Sequence, residues 1–197
     1  MKKLYQGKTK DVYELNDKEV LLKFKDDVTG KDGVFDPGQN HVGLTMEGAG
    51  HSACMLTKFF YEKLNEKGLN THFVSADTEK NEAVVKKAKV FGNGVEVIVR
   101  YRAVGSFIRR YGQYAESGMK LPSYVEITLK DDDRDDPLIT KDALEMLGIM
   151  TGDEYEELVD LAKHIGEFVK EELDKKGLEL YDIKFEFGMI DGKVALI

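Results

Sequence analysis

Polar and apolar residues alternate strictly between residues 181 and 187. Ile183, Phe185 and Phe187 fall on one face of a strand, and Asp182, Lys184 and Glu186 on the other. An Asp191-Gly192 step between apolar runs then predicts a hairpin closing on Val194 to Ile197. Similar patterning predicts strands over 4–6, 11–15, 20–24, 72–74, 83–90, 95–100 and 124–130. Helical spacing covers 51–67, with Cys54, Met55, Phe59, Tyr61 and Leu64 on the apolar stripe and Gly68 as the stop. Shorter helices are expected over 106–111 and 141–147. A long one follows the capping box Thr151-Gly152-Asp153-Glu154 and runs to Lys176 before Gly177, with Tyr155, Leu158, Val159, Ala162, Ile165, Phe168, Val169 and Leu173 on its apolar stripe. Residues 26–50, rich in Gly and Asp and containing Pro37, read as one long loop. A strand-heavy first half and a mixed second half predict an α+β protein of two contiguous lobes, 1–92 and 93–197.

The chain has 197 residues, 42% hydrophobic and 34% charged, which suits an ordinary globular protein with a real core. No apolar run approaches the roughly 20 residues of a membrane span, and the N-terminus lacks the apolar stretch of a signal peptide. A single cysteine, Cys54, excludes an internal disulfide and gives no zinc spacing, so a cytoplasmic location is expected. The net charge of −8 argues against general nucleic-acid binding. It does not exclude an anionic small molecule, because basic residues cluster locally.

Several clusters carry chemistry. Asp182, Lys184 and Glu186 stand about 7 Å apart along one strand face. They could hold a hard cation and a phosphate together, or form a solvated face with cross-strand charge pairs. Gly7-Lys8-Thr9 is not a Walker loop: Lys2 occupies the first Gly position, and a strand follows rather than a helix. A Gly turn between strands, with Lys8 and Lys10 on one face, can still cover nucleotide phosphates. The run Val97 to Gly112 brings Arg100 and Arg102 to a strand end, followed by Gly105 and then Ser106 opening a short helix. This is a candidate anion corner. Asp131 to Asp136 forms an acidic turn that cannot be an EF-hand, because Asp136 occupies the Gly position and Pro137 follows. The four histidines show no metal spacing; His164 is expected at the surface and Cys54 in the core.

Taken together, residues 5–13, 96–106, 130–137 and 182–188 resemble the SAICAR synthetase family, in order and in spacing across nearly the whole chain. The resemblance implies a two-lobed fold with an antiparallel N-terminal sheet, a mixed C-terminal lobe and an ATP cleft between lobes. The implied activity joins L-aspartate to carboxyaminoimidazole ribotide with ATP and Mg²⁺, through an acyl phosphate. On the matching positions it implies phosphate-covering roles for Lys8 and Lys10, and ATP-site roles for Glu96 and Lys130. It also implies ribotide binding by Arg100 and Ser106, an acid near the imidazole at Asp136, a phosphate contact at Lys184 and a metal ligand at Glu186. Lys184 and Lys10 are then the catalytic candidates. A homodimer is the prior for an enzyme of this size.

The segment 28–50 departs from the family pattern, so nothing is carried across there. The family pattern also continues past Ile197 with an acidic stretch containing a further metal ligand. The expectation is that this tail is missing from the chain, which would bind ATP yet catalyse poorly if the tail were truly absent. A kinase-like phosphotransferase and a non-catalytic ATP-binding module are the alternatives. The first is disfavoured because no His-Arg-Asp or Asp-Phe-Gly motif occurs.

Overall fold

The computed structural model describes residues 1–36 and 41–197. Pro37, placed by the sequence in the long loop, lies outside the described residues. The chain divides into two compact units, Met1–Ala88 and Lys89–Ile197.

The first unit holds β1 (Lys3–Gln6), β2 (Lys10–Glu14), β3 (Glu19–Phe24), β4 (Asp27–Lys31), β5 (Val34–Phe35), β6 (Val42–Thr45), α1 (Ala49–Glu66), β7 (Phe73–Asp77) and β8 (Glu82–Lys86). Its main sheet is antiparallel in the order β1-β2-β3-β8-β7. Helix α1 packs on it through Cys54, which is buried with Phe24, Phe73 and Ala83. The Cys54 thiol is pushed up by that burial, as suits a core group. Gly68 has φ 75°, so the expected glycine stop is present. Met55 and Phe59, on the apolar stripe read from spacing, are exposed.

The expected loop over 26–50 is corrected. It contains a second sheet in the order β5-β4-β6. Asp32 and Gly33, both at positive φ, close the β4–β5 hairpin. Glycines that read as loop residues instead permit close strand approach: a Cβ on Gly43 would lie 2.3 Å from the Gly30 backbone.

His72 packs against Tyr61, ring centroids 5.5 Å apart. Desolvation, with the Lys10 charge adding to it, pushes the His72 pKa down to about 3. Unfolded imidazole titrates near 6.5, so below that pH the unfolded chain takes up a proton that the folded chain refuses. The stability contributed by the neutral ring is therefore present above the unfolded pKa and falls as pH drops toward 3, by roughly 1 kcal/mol per pH unit. His72→Phe is expected to remove this slope. Urea unfolding at pH 7 and pH 5 should show a stability loss smaller by on the order of 1–2 kcal/mol in the variant. An identical loss in both proteins would refute the assignment.

The second unit holds β9 (Lys89–Val90), β10 (Val95–Arg102), α2 (Ser106–Tyr111), β11 (Lys120–Leu129), α3 (Lys141–Met146), α4 (Gly152–Asp174), β12 (Asp182–Ile190) and β13 (Lys193–Leu196). The boundary between units falls before residue 92 because the strand expected over 83–90 is two strands. Glu82–Lys86 pairs with β3 and β7 in the first unit, whereas Lys89–Val90 pairs with β12. The sheet order is β11-β10-β12-β13, all antiparallel. The capping box on α4 is complete, with the Thr151 side chain accepting from Glu154 N and the Glu154 carboxylate accepting from Thr151 N. The α4 stripe covers the back of the sheet, where Val97, Val99, Phe185 and Phe187 are buried. Close approach comes from Gly166: a Cβ there would lie 3.3 Å from Val99 Cγ1 and 2.8 Å from the Tyr101 hydroxyl. The hairpin after β12 turns on Asp191 and Gly192, at φ 51° and 78°. With its back on the helix, the sheet presents its other face for polar side chains.

Candidate active site

The polar face is built by strand register. Glu96 stands opposite Glu186, Ile98 opposite Lys184 and Arg100 opposite Asp182 across β10 and β12. On the other side of β10, Arg100 faces Tyr124, Ile98 faces Glu126 and Glu96 faces Thr128. Because alternate residues share a face, acids and bases from three strands collect on one surface, divided by Ile98 into two groups.

The first group is two carboxylates, each with an ammonium. Glu96 accepts from Lys184 Nζ at 2.7 Å and lies 3.5 Å from Thr128 Oγ1. Glu186 accepts from Lys130 Nζ at 2.7 Å. Like charges directly across a ladder repel, so the two lysines make the Glu96–Glu186 juxtaposition tolerable. The Lys130–Glu186 pair is half-exposed on both sides, and such pairs contribute little to stability and exchange easily. Among the described residues, no three His, Cys, Asp or Glu side chains gather as a metal cage. Two adjacent carboxylates still fit Mg²⁺, which is commonly held by one or two carboxylates and completes its shell with water and phosphate oxygens.

The second group centres on Arg100, which is buried. Its Nε donates to Glu126 Oε1 at 2.8 Å, its Nη1 to Asp182 Oδ2 at 2.6 Å, and its Nη2 to Ser106 Oγ at 2.7 Å. Arg110 Nη2 reaches the same Glu126 Oε1 at 2.6 Å. Burial opposes the Arg110 charge, but the hydrogen bond and charge of Glu126 outweigh it, and the Arg110 pKa is raised. Ser106 opens α2 as expected; the N-cap position is Gly105, which has no side chain to cap with, and the Ser106 hydroxyl is engaged with Arg100. Arg102 points elsewhere, to Glu179 and the Gly118 carbonyl.

The structure thus brings Glu96, Arg100, Ser106, Lys130, Lys184 and Glu186 onto or beside one sheet face. Asp136 lies in the turn beyond β11, at φ 47°, with its Oδ1 accepting from Asp131 N at 2.8 Å. Lys8 and Lys10 belong to the first unit. Gly7 N closes the turn onto Lys10 O at 2.8 Å, and Lys10 Nζ sits 5.4 Å from the Phe24 ring centroid. His164 is exposed on α4, as its position suggested. Sequence reasoning missed Glu126, Arg110 and the engagement of Asp182. The alternation of 124–130 put Glu126 on one face with Lys130, but only the register shows which arginines it meets.

A family described as SAICAR synthetase matches residues 3–197. The chain belongs to the SAICAR synthetase family. It is 61% identical over 199 residues to the phosphoribosylaminoimidazole-succinocarboxamide synthase of Clostridium tetani, spanning 100% of this chain and 88% of that protein. The solved phosphoribosylaminoimidazole-succinocarboxamide synthase of Ehrlichia chaffeensis superposes with a TM-score of 0.85 at 29% identity, over 99% of this chain and 80% of that one. A SAICAR synthetase solved in complex with ADP superposes with a TM-score of 0.84 at 31% identity, over 98% and 78% of the two chains. The chain is therefore an enzyme of this family, a ligase of de novo purine biosynthesis with the family's α+β fold. No described helix is long and apolar enough to cross a membrane.

Proposed function

We propose that the enzyme joins the carboxylate of carboxyaminoimidazole ribotide to the amino group of L-aspartate, with ATP converted to ADP and phosphate. The reading is supported by family membership and by the SAICAR synthetase relative solved with ADP. The observation that carries it is the pair of facing carboxylates, Glu96 and Glu186, each holding a lysine that can turn to phosphate.

A carboxylate is a poor electrophile, so it must be activated before an amine can attack. In the proposed path a carboxylate oxygen of the ribotide attacks the γ-phosphorus, the bond to the bridging oxygen breaks, and ADP leaves. The aspartate nitrogen then attacks the acyl carbon and phosphate departs, its C–O bond replaced by C–N with loss of the amine proton. Both steps gather negative charge on phosphoryl oxygens, so cations already in place there carry much of the acceleration. Lys184 and Lys130, which pair with Glu96 and Glu186, would take this role, and Lys8 and Lys10 would meet the ATP phosphates. Glu186, with Glu96 beside it, would hold Mg²⁺, which when bound neutralises phosphoryl charge. Arg100 and Ser106 would take the ribotide, and Asp136 would approach the imidazole. Cytoplasmic small-molecule chemistry follows from this reading.

A coupled assay of ADP release, with each substrate omitted in turn, tests it. Release is expected only when ATP, ribotide and aspartate are all present. Full release without aspartate would indicate phosphotransfer and end the ligase reading. ATP binding with no turnover in the complete Mg²⁺-containing mixture would indicate a non-catalytic module.

A further inference from the structure

The Arg100 group contains more than an anion-binding arginine and a serine. Beneath it lies Glu126, its side chain only 3% exposed. One oxygen, Oε1, accepts from Arg100 Nε, Arg100 Nη2 and Arg110 Nη2. The other, Oε2, is buried and accepts no hydrogen bond among the described residues. A carboxylate used so unevenly is a poor stabiliser, because burying ionised groups costs solvation and an unused acceptor adds to that cost.

The arrangement does accomplish something geometric. Two guanidinium groups repel when brought together, yet a single shared oxygen holds Arg100 and Arg110 side by side. Arg110 lies four residues after Ser106 on α2, on the same side of the helix as the hydroxyl that meets Arg100. Arg110 is 30% exposed and Arg100 4%, so the pair extends from the interior to solvent. The remaining edge of Arg100 is held by Asp182, which is 39% exposed and much the more replaceable of its two acidic partners.

We propose that Glu126 is a positioning residue and Arg110 a second anion-binding residue: Glu126 fixes Arg100 and Arg110 as a paired guanidinium site for the phosphate monoester of the ribotide. Asp182 holds the free edge of Arg100 until the dianion displaces it. This rests on the reading that Arg100 and Ser106 take the ribotide. Planar forks match phosphate oxygens two at a time, and two forks held at a fixed separation lose less freedom on binding than two free side chains.

Ribose 5-phosphate is the probe, titrated calorimetrically into the whole chain at fixed ionic strength. Arg110→Ala and Glu126→Gln are each expected to weaken its binding about tenfold. The double variant should lose no more than about threefold beyond either single one, because both changes dismantle the same arrangement. In turnover, each single variant should raise KM for the ribotide and leave KM for ATP unchanged. Arg110 is exposed enough for its alanine variant to fold, so that variant decides the matter if Glu126→Gln does not. Unchanged ribose 5-phosphate affinity in folded Arg110→Ala overturns the proposal. So do fully multiplicative losses in the double variant, or a wild-type protein that does not bind the probe. Probe binding through Arg110, in a protein that releases no ADP with all three substrates, would uphold this site and remove the ligase reading instead.

Discussion

Glu186→Gln is expected to lower Mg²⁺-dependent ADP release by about 10²–10³-fold, equivalent to roughly 3–4 kcal/mol of barrier. The amide keeps the shape of the side chain and loses its charge. A neutral amide is a weaker ligand for a hard dication than a carboxylate, and of the facing pair Glu96 alone would keep its charge. The fold should persist. Glu186 and Lys130 are about 40% exposed on both sides, and such pairs contribute about 0–1 kcal/mol. The measurement is initial rate against Mg²⁺ concentration at saturating substrates, alongside a thermal melt. A shift of the Mg²⁺ requirement to higher concentration with an unchanged melt fits a ligand. Unchanged kinetics would dismiss the metal role.

Lys184→Met should be nearly as severe, for a different reason. The substitution keeps the aliphatic stem and removes the ammonium that holds Glu96 at 2.7 Å. Two effects should appear together. First, kcat falls by on the order of 10²-fold, as when one preorganised cationic group is withdrawn from developing phosphoryl charge. Second, Glu96, whose side chain is 10% exposed, is left without its counter-ion opposite another carboxylate, which costs about 1–3 kcal/mol of stability. Lys184→Arg separates the two: it should restore the denaturant midpoint while recovering only part of the rate, because a planar fork does not reproduce a compact ammonium. Full kcat in the methionine variant would remove Lys184 from the chemistry.

Local signals in the sequence located much of this architecture. The Thr151–Glu154 box, the glycines at 68 and 177 and the Asp191-Gly192 turn depend on residues a few positions apart, and each sits in the structure where its chemistry placed it. The alternation from Asp182 to Phe187 likewise assigned the polar and apolar faces of β12. Register is another matter. That Glu186 meets Glu96, or that Glu126 lies between Arg100 and Arg110, depends on pairings between segments far apart in the chain, and no local spacing encodes them.

The misreadings have physical causes. Asp32-Gly33 is the same dipeptide as Asp191-Gly192, but of its flanking strands one contains Gly30 and the other is only two residues long, so the pattern around it is too weak to predict a hairpin. Met55 and Phe59 fell on an apolar helical stripe but remain exposed, since α1 buries little beyond Gly50, Cys54 and Leu64.

Gly166 has a bearing on inheritance. The strand that displays Glu96 and Arg100 in front has Val99 and Tyr101 behind, and those two rest against a helix position with no side chain. A single added methyl there would press on the reverse of that strand, on the face opposite Glu96 and Arg100. Loss of activity can therefore arise from a residue that touches none of the reacting groups, so screens that score only the charged front of the sheet would overlook it.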